Sequence, residues 1–329
     1  MDRENFIQSS VRIRHAEKKL LTKQQLQRLA DAKNLEDAIK LLNETSYSSE
    51  LSKLDRPENY EQVLSEVLNK TYKEAMEISP DKSLVEILSC KYDYHNLKVL
   101  VKENILKEKF DSMYCMLDEN EIEAYRELAL KNDEGLSKDF KECLDFFETT
   151  KDPQDIDIFI DKKYFEKVLE VSKKMGLDLV EEYFRAMIDF VNIRTFIRCK
   201  RQEQDISVLK EALIQGGYID IDDISTYFYK EIQDLVNTYK NTKIGKSLFL
   251  GLKGYNETGR LLLFEKHMEN YLTNLLKERV KRMPYGPEII FAYVHAKEIE
   301  IKNLRIALVG RANGLSPDFI KERLRETYV

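Results

Sequence analysis

Tryptophan is absent from the 329 residues, and only 6 prolines, 11 glycines, 4 cysteines and 4 histidines occur. So few helix breakers beside 34% charged residues exclude a turn-rich β protein and give the profile of a helical chain with short connections. No uncharged apolar run approaches the roughly 18 residues of a membrane span, and the first ten residues lack the apolar core of a secretion signal. The expectation is a chain that neither crosses a membrane nor is exported. Cys90, Cys115, Cys143 and Cys199 lie far apart with no CxxC, which points to neither zinc nor a redox pair, and free thiols fit a reducing cytoplasm. His15, His95, His267 and His295 are scattered, and no serine or cysteine stands in a nucleophile context. No catalytic residue, cofactor or metal site is expected. The formal charge of −6 argues against nucleic acid as the main partner.

Two partial motifs fail on inspection. Residues 155–159 begin like a calcium loop, but Phe159 occupies a ligand position and Ile160 stands where glycine is required. Gly245, Lys246 and Ser247 resemble the end of a phosphate-binding loop, yet Lys240 replaces its first glycine and no strand precedes it.

What is present is a spelling repeated three times: acid, two free positions, Asn, aliphatic, base. It occurs at 93–98 (Asp93, Asn96, Lys98), 189–194 (Asp189, Asn192, Arg194) and 300–305 (Glu300, Asn303, Arg305). Chance would supply about a tenth of one match in this chain, so the three mark an internal repeat. Sixteen residues before each Asn stands a helix breaker, Pro80, Gly176 and Pro287, so each copy opens a new helix at one offset. The acid, the Asn and the apolar residues after it recur at i, i+3, i+4, i+7 and i+8, one face of an α-helix. An acid and an amide on that apolar stripe cost about 1–3 kcal/mol for each unsatisfied group, so Asp93, Asn96, Asp189, Asn192, Glu300 and Asn303 are expected to brace neighbouring helices. The base lies about 140° around the helix from the acid, which turns Lys98, Arg194 and Arg305 toward solvent or a partner.

The remainder of the chain reads as helices as well. Thr22 with Gln25 forms a capping box and Asn34 opens the next helix; helices follow at 60–76, 119–130, 138–147, from a cap at Asp161, at 208–214, 227–239, 261–279 and 315–328. A turn is expected at 132–135, and the run holding Gly245, Gly251, Gly254 and Gly259 is expected to be the loosest part. Three units follow, 1–120, 121–220 and 221–329. Each is too large for an ordinary solenoid repeat and is expected to bury its own core, so an all-α protein of three bundles about a pseudo-threefold axis is the natural arrangement. Basic clusters at 12–19 and 277–282, including Arg12, Arg14, Lys281 and Arg282, are candidate partner contacts.

The run Pro287, Glu288, Ile289, Ile290, Phe291, Ala292, Tyr293, Val294, continuing through Glu300, Asn303 and Arg305 to Gly310, resembles the signature of the C/d-subunit family of vacuolar (V-type) and archaeal-type (A-type) rotary ATPases. The stretch from Asp93 to Lys98 is similar to that family's first-repeat signature, and Val11, Arg12, Ile13 and Arg14 with Leu20 and Leu21 resemble its opening helix. The resemblance covers essentially the whole chain and suits the bacterial and archaeal form. It implies a funnel-like socket and a non-catalytic rotor subunit, joining the central stalk (subunits D and F) to the membrane proteolipid ring on the cytoplasmic side. Hydrolysis or synthesis of ATP is thereby linked to proton or sodium transport. Polar stalk and ring surfaces would make its interfaces charged and salt-sensitive. A helical scaffold unrelated to ion transport is the alternative, separated by whether stalk or ring proteins bind.

Overall fold

A computed structural model describes residues 2–131 and 135–329. Among these residues there is no strand, and the protein is all-α. The turn expected at 132–135 lies outside the described residues apart from Gly135. The first helices are α1 (Ile7–Glu17), α2 (Lys23–Asp31), α3 (Leu35–Leu42), α4 (Ser48–Leu51) and α5 (Tyr60–Ile78), leading into the first motif helix α6 (Ser83–Leu106). Next come α7 (Glu119–Lys131), α8 (Leu136–Thr150), α9 (Pro153–Met175) and the second motif helix α10 (Asp178–Arg201). After these run α11 (Ile206–Ala212), α12 (Ile221–Thr226), α13 (Ile232–Tyr239), α14 (Gly245–Thr258) and α15 (Leu262–Val280). The third motif helix α16 (Pro287–Ala312) and α17 (Pro317–Arg323) complete the chain.

Local chemistry sets the helix starts. Thr22 accepts from the Gln25 N–H while Gln25 reaches back to the Thr22 N–H, and Asn34 accepts from the Asp37 N–H at 2.8 Å. α9 begins earlier than a cap at Asp161 implies. Asp152 accepts from the Gln154 N–H at 2.8 Å and Pro153 takes the first helical position, a stronger start signal. That leaves Asp161 in the body of the helix, free to pair with another element.

α16 is the spine. Ile289, Ile290, Phe291, Ala292, Val294, Leu304, Ala307 and Leu308 are completely buried, and the helix packs against α1, α2, α3, α5, α6, α15 and α17. A helix apolar on so many sides must be covered all round, so elements from both ends of the chain wrap it. The expected separate cores are therefore not what forms. One continuous core runs from Phe6 to Leu324, and a smaller cluster joins Leu97, Leu100 and Val101 of α6 to Phe140, Cys143, Ile156 and Ile160.

The glycine run expected to be loose is instead the helix α14, packed along α15. A Cβ on Gly251 would stand 2.9 Å from the Phe264 ring and 3.1 Å from its Cα, and one on Gly254 would stand 2.7 Å from Leu263. The glycines admit a close helix approach. A valine at 251 should overpack this seam and cost about 1–3 kcal/mol, read as a lower urea midpoint. In a loose segment, loss of helical glycine would leave the midpoint unchanged or raise it.

Candidate functional site

Each motif Asn binds both polar groups of one backbone residue in the segment that returns across its helix. Asn96 donates Nδ2–H to the Cys115 carbonyl and accepts the Cys115 N–H, both at 2.9 Å. Asn192 does the same with Ile214, at 2.8 and 2.9 Å. Asn303 repeats it with Arg325, at 3.2 and 2.7 Å. All three amides are buried. The held residue is in every copy the second after a short return helix, which ends at Met113, Ala212 or Arg323. There the chain leaves helical conformation, buried at Ile214 and Arg325 and half-buried at Cys115, and its N–H and C=O need partners. An amide side chain, carrying one donor and one acceptor side by side, supplies both.

The acids diverge. Asp189 is fully buried and its Oδ1 accepts from the Ile219 N–H at 3.0 Å. Gly217 permits this approach, since a Cβ there would collide with that oxygen. Burial pushes the Asp189 carboxyl up to about 6, against the pull of the Ile219 N–H. Glu300 is buried and reaches the opposite end of the chain, accepting from the Leu21 N–H, from Tyr47 Oη at 2.7 Å and from Lys297 Nζ at 2.6 Å. Asp93 does not share the buried stripe expected of it and is exposed. Its return segment reaches Asn96 after 19 residues rather than 22 and has a single 3-10 turn in place of an α-helix; the residue keeps an exposed edge, while the packing around its carboxyl still pushes it up to about 6.

The bases, read from helical phase as turned to solvent or a partner, lie against the next part of the same chain. Lys98 of α6 pairs with Asp161 of α9 at 2.6 Å. Arg194 of α10 faces Glu265 of α15 at 3.6 Å. Arg305 of α16 pairs with Glu61 of α5. In each case the acid lies on the long helix that precedes the following motif helix, and the last pair returns to the first of these helices. Phase could not find this, because it gives direction without saying what stands there.

The two basic clusters come together. Arg14 donates to the Val280 and Met283 carbonyls at 2.7 and 3.1 Å and to Glu17 at 2.8 Å, which ties α1 to the turn after α15. Arg12, Lys281 and Arg282 are exposed.

The three motif helices also share a cavity of about 670 Å³. Lys91, Met187 and Glu298, each five residues before its Asn, all line it. Lys91 donates to Glu298 at 2.5 Å, and Glu298 also accepts from Tyr72 and Tyr92 at 2.5 and 3.1 Å. His295 stands 3.1 Å from both Tyr183 Oη and Thr273 Oγ1, and burial pushes its imidazole down to about 4. Among the described residues no cluster of His, Cys, Asp and Glu could hold a metal ion, and no helix is long and apolar enough to cross a membrane. The calcium-like run lies within α9, and Gly245 to Ser247 opens α14.

The described residues thus form a helical body with a repeated backbone clamp and a cavity lined by all three motif helices. The family described as ATP synthase (C/AC39) subunit matches residues 9–323, and the chain belongs to it. It is 24% identical over 322 residues to the C subunit of the V-type sodium ATPase of Enterococcus hirae, covering 96% of this chain and 97% of that protein. It is 24% identical to the C subunit of the A-type ATP synthase of Methanocaldococcus jannaschii, covering 96% of this chain and 85% of that protein. For the corresponding A-type ATP synthase protein of Thermococcus gammatolerans the identity is 27%, covering 96% and 89%.

Asn192→Ala and Asn303→Ala each strand a buried N–H and a buried C=O, so each should cost about 2–4 kcal/mol of unfolding free energy. Equilibrium denaturation checks this, and a loss below about 0.5 kcal/mol would deny the clamp its weight. Asp189 adds a pH dependence. Its folded pKa lies above its unfolded one, so the native state binds the extra proton between pH ~4 and ~6 and pays for an ionised buried carboxylate above that window. The stability gained by Asp189→Asn should therefore be larger at pH 7.5 than at pH 4.5, by about 2 kcal/mol. Equal gains at both pH values would contradict the buried-charge account.

Proposed function

We propose that this protein is the non-catalytic adaptor of a rotary ATPase rotor, joining the central stalk, subunits D and F, to the membrane proteolipid ring. On this reading it sits at the cytoplasmic face, attached to the membrane through the complex, and passes torque between the ATP-handling head and the ring that carries protons or sodium. Its three units, 1–120, 121–220 and 221–329, stand about a pseudo-threefold axis and form a funnel-like socket.

The observation that carries this is the cyclic order of the ion pairs. Lys98 to Asp161, Arg194 to Glu265 and Arg305 to Glu61 link each motif helix to the helix that introduces the next, and the last link returns to the start. A linear chain stitched end to end in this way resists twisting, which a torque coupler requires. The shared cavity at equivalent positions of the three motif helices supports an axis that a partner can occupy. We assign the six motif residues Asp93, Asn96, Asp189, Asn192, Glu300 and Asn303 to bracing within the chain. The exposed bases Arg12, Lys281 and Arg282 are the partner contacts in this scheme.

Native mass spectrometry of the full chain with the purified stalk pair, and separately with detergent-solubilised proteolipid ring of the same organism, tests the assignment. One copy should bind each. A folded chain that binds neither would return the protein to the class of helical scaffolds.

A further inference from the structure

The three repeated bases are not equally satisfied. Lys98 reaches Asp161 at 2.6 Å, and Arg305 grips both carboxylate oxygens of Glu61. Arg194 stands 3.6 Å from Glu265, beyond hydrogen-bond reach, and Arg198 takes the same oxygen at 3.2 Å. The Arg194 Nε is enclosed with no hydrogen-bond partner among the described residues. Burial, with Arg198 beside it, holds this guanidinium below its usual range.

The incomplete pair borders a space of about 290 Å³ between α6, α9 and α10. α16 contributes nothing to its lining, so it is distinct from the recess of the three motif helices, with Lys91 and Val191 as their common wall. One side is cationic. Lys91, Lys98 and Arg194 line it, and the acids nearest them are Glu298 at 2.5 Å from Lys91, Asp161 on Lys98, and Glu265, which Arg194 must share with Arg198. One positive charge is left over. His95 also lines the space, but gives its Nε2–H to the Met113 carbonyl at 2.9 Å. The opposite side is carbon: Tyr94 and Tyr164, edge to face at 5.9 Å, with Phe165 and Val191.

We propose that this space binds a small phosphate ester, its oxygens held between Arg194 and Lys98 and its carbon part resting on Tyr94, Tyr164 and Val191. Water could satisfy an N–H here but brings no charge. A phosphoryl group brings negative charge and three strong acceptor oxygens, enough for the planar fork of Arg194 and the ammonium of Lys98 together. About 290 Å³ stands at the lower edge of small-molecule pockets, about 300–1,000 Å³, so the occupant is a small molecule and not a helix or a peptide. Aromatic and aliphatic walls beside a few polar groups are the usual make-up of such a pocket. The inference does not rest on the coupling reading. A chain that binds stalk and ring but no phosphate ester refutes this proposal alone.

The test is calorimetric titration of the full chain at about 50 mM sodium chloride, with phenyl phosphate, inorganic phosphate and benzoate as probes. Phenyl phosphate should bind with a dissociation constant of about 1 mM or tighter. Arg194→Gln, and Val191→Phe, which fills the space, should each weaken it by about tenfold or more. Arg194→Lys keeps the charge without the fork and should fall between. Melting curves establish that each variant is folded, and where Arg194→Gln is not, Lys98→Gln and Val191→Phe decide. Inorganic phosphate binding as tightly as phenyl phosphate, at the same residues, would support the phosphoryl site and name free phosphate as its source. Benzoate binding as tightly as phenyl phosphate would overturn the phosphoryl assignment. Native binding that the folded variants leave unchanged, or no binding by the folded native chain, would overturn the site.

Discussion

Buried main chain must find hydrogen bonds, and that constraint governs this molecule. Each return helix is short, and beyond it the chain is buried or half-buried, with no sheet among the described residues to pair with. Unpartnered, one such residue leaves a donor and an acceptor in an apolar interior, at a cost of about 1–3 kcal/mol each. Asn96, Asn192 and Asn303 act as a one-residue strand, offering both complements from the side of a helix. Aspartate lacks the donor, and serine has a single oxygen to serve both bonds. The amide joins the long helix to its return through both of its polar groups, which lets the apolar faces pack elsewhere.

Those faces pack against the long helix that introduces the next motif helix as well as against their own neighbours in sequence. α6 lies on α9, α10 on α15 and α16 on α5, each contact carrying the ion pair from the base two residues after the Asn. Because the chain is linear, one of the three contacts must join its ends, and that seam is heavily bonded. Glu300 gathers the Leu21 N–H, Tyr47 and Lys297. Arg3 grips Glu288 through both carboxylate oxygens at 2.7 and 2.9 Å, and Arg311 donates to the Ala32 carbonyl at 2.8 Å. Where Asp189 uses a backbone N–H from its own return segment, Glu300 takes one from the opposite end of the chain, and its extra methylene supplies the reach.

Function follows from closure and from what closure leaves open. Glu298 engages Lys91, and Glu269 engages Lys302 and Arg325, at the shared space, and apolar residues of three helices converge there. The exposed bases Lys281 and Arg282 lie at the turn after α15, to which Arg14 ties α1. The chain belongs to a family of rotary ATPase subunits, and its described residues include an apolar recess and the exposed bases Arg12, Lys281 and Arg282.

The repeat, the helical class and most helix starts were legible in the sequence because each rests on local chemistry. Breaker offsets, capping side chains and 3.6-residue periodicity act over a few residues and leave their mark there. The misreadings share one cause. Gly251 and Gly254 looked loose because a glycine's lack of a side chain reads as freedom until a neighbouring helix is found lying against it. Asp161 looked like a cap because its partner Lys98 is 63 residues away. Asp93 looked buried because helical phase says which residues share a face but not what covers that face. The pattern of the chain by itself determined that three amides would sit on three apolar stripes and need partners. Only the tertiary structure decided which backbone residue each one holds, that the bases pair with acids on the helix preceding the next motif helix, and that the two ends meet, because these depend on contacts between residues far apart in the chain.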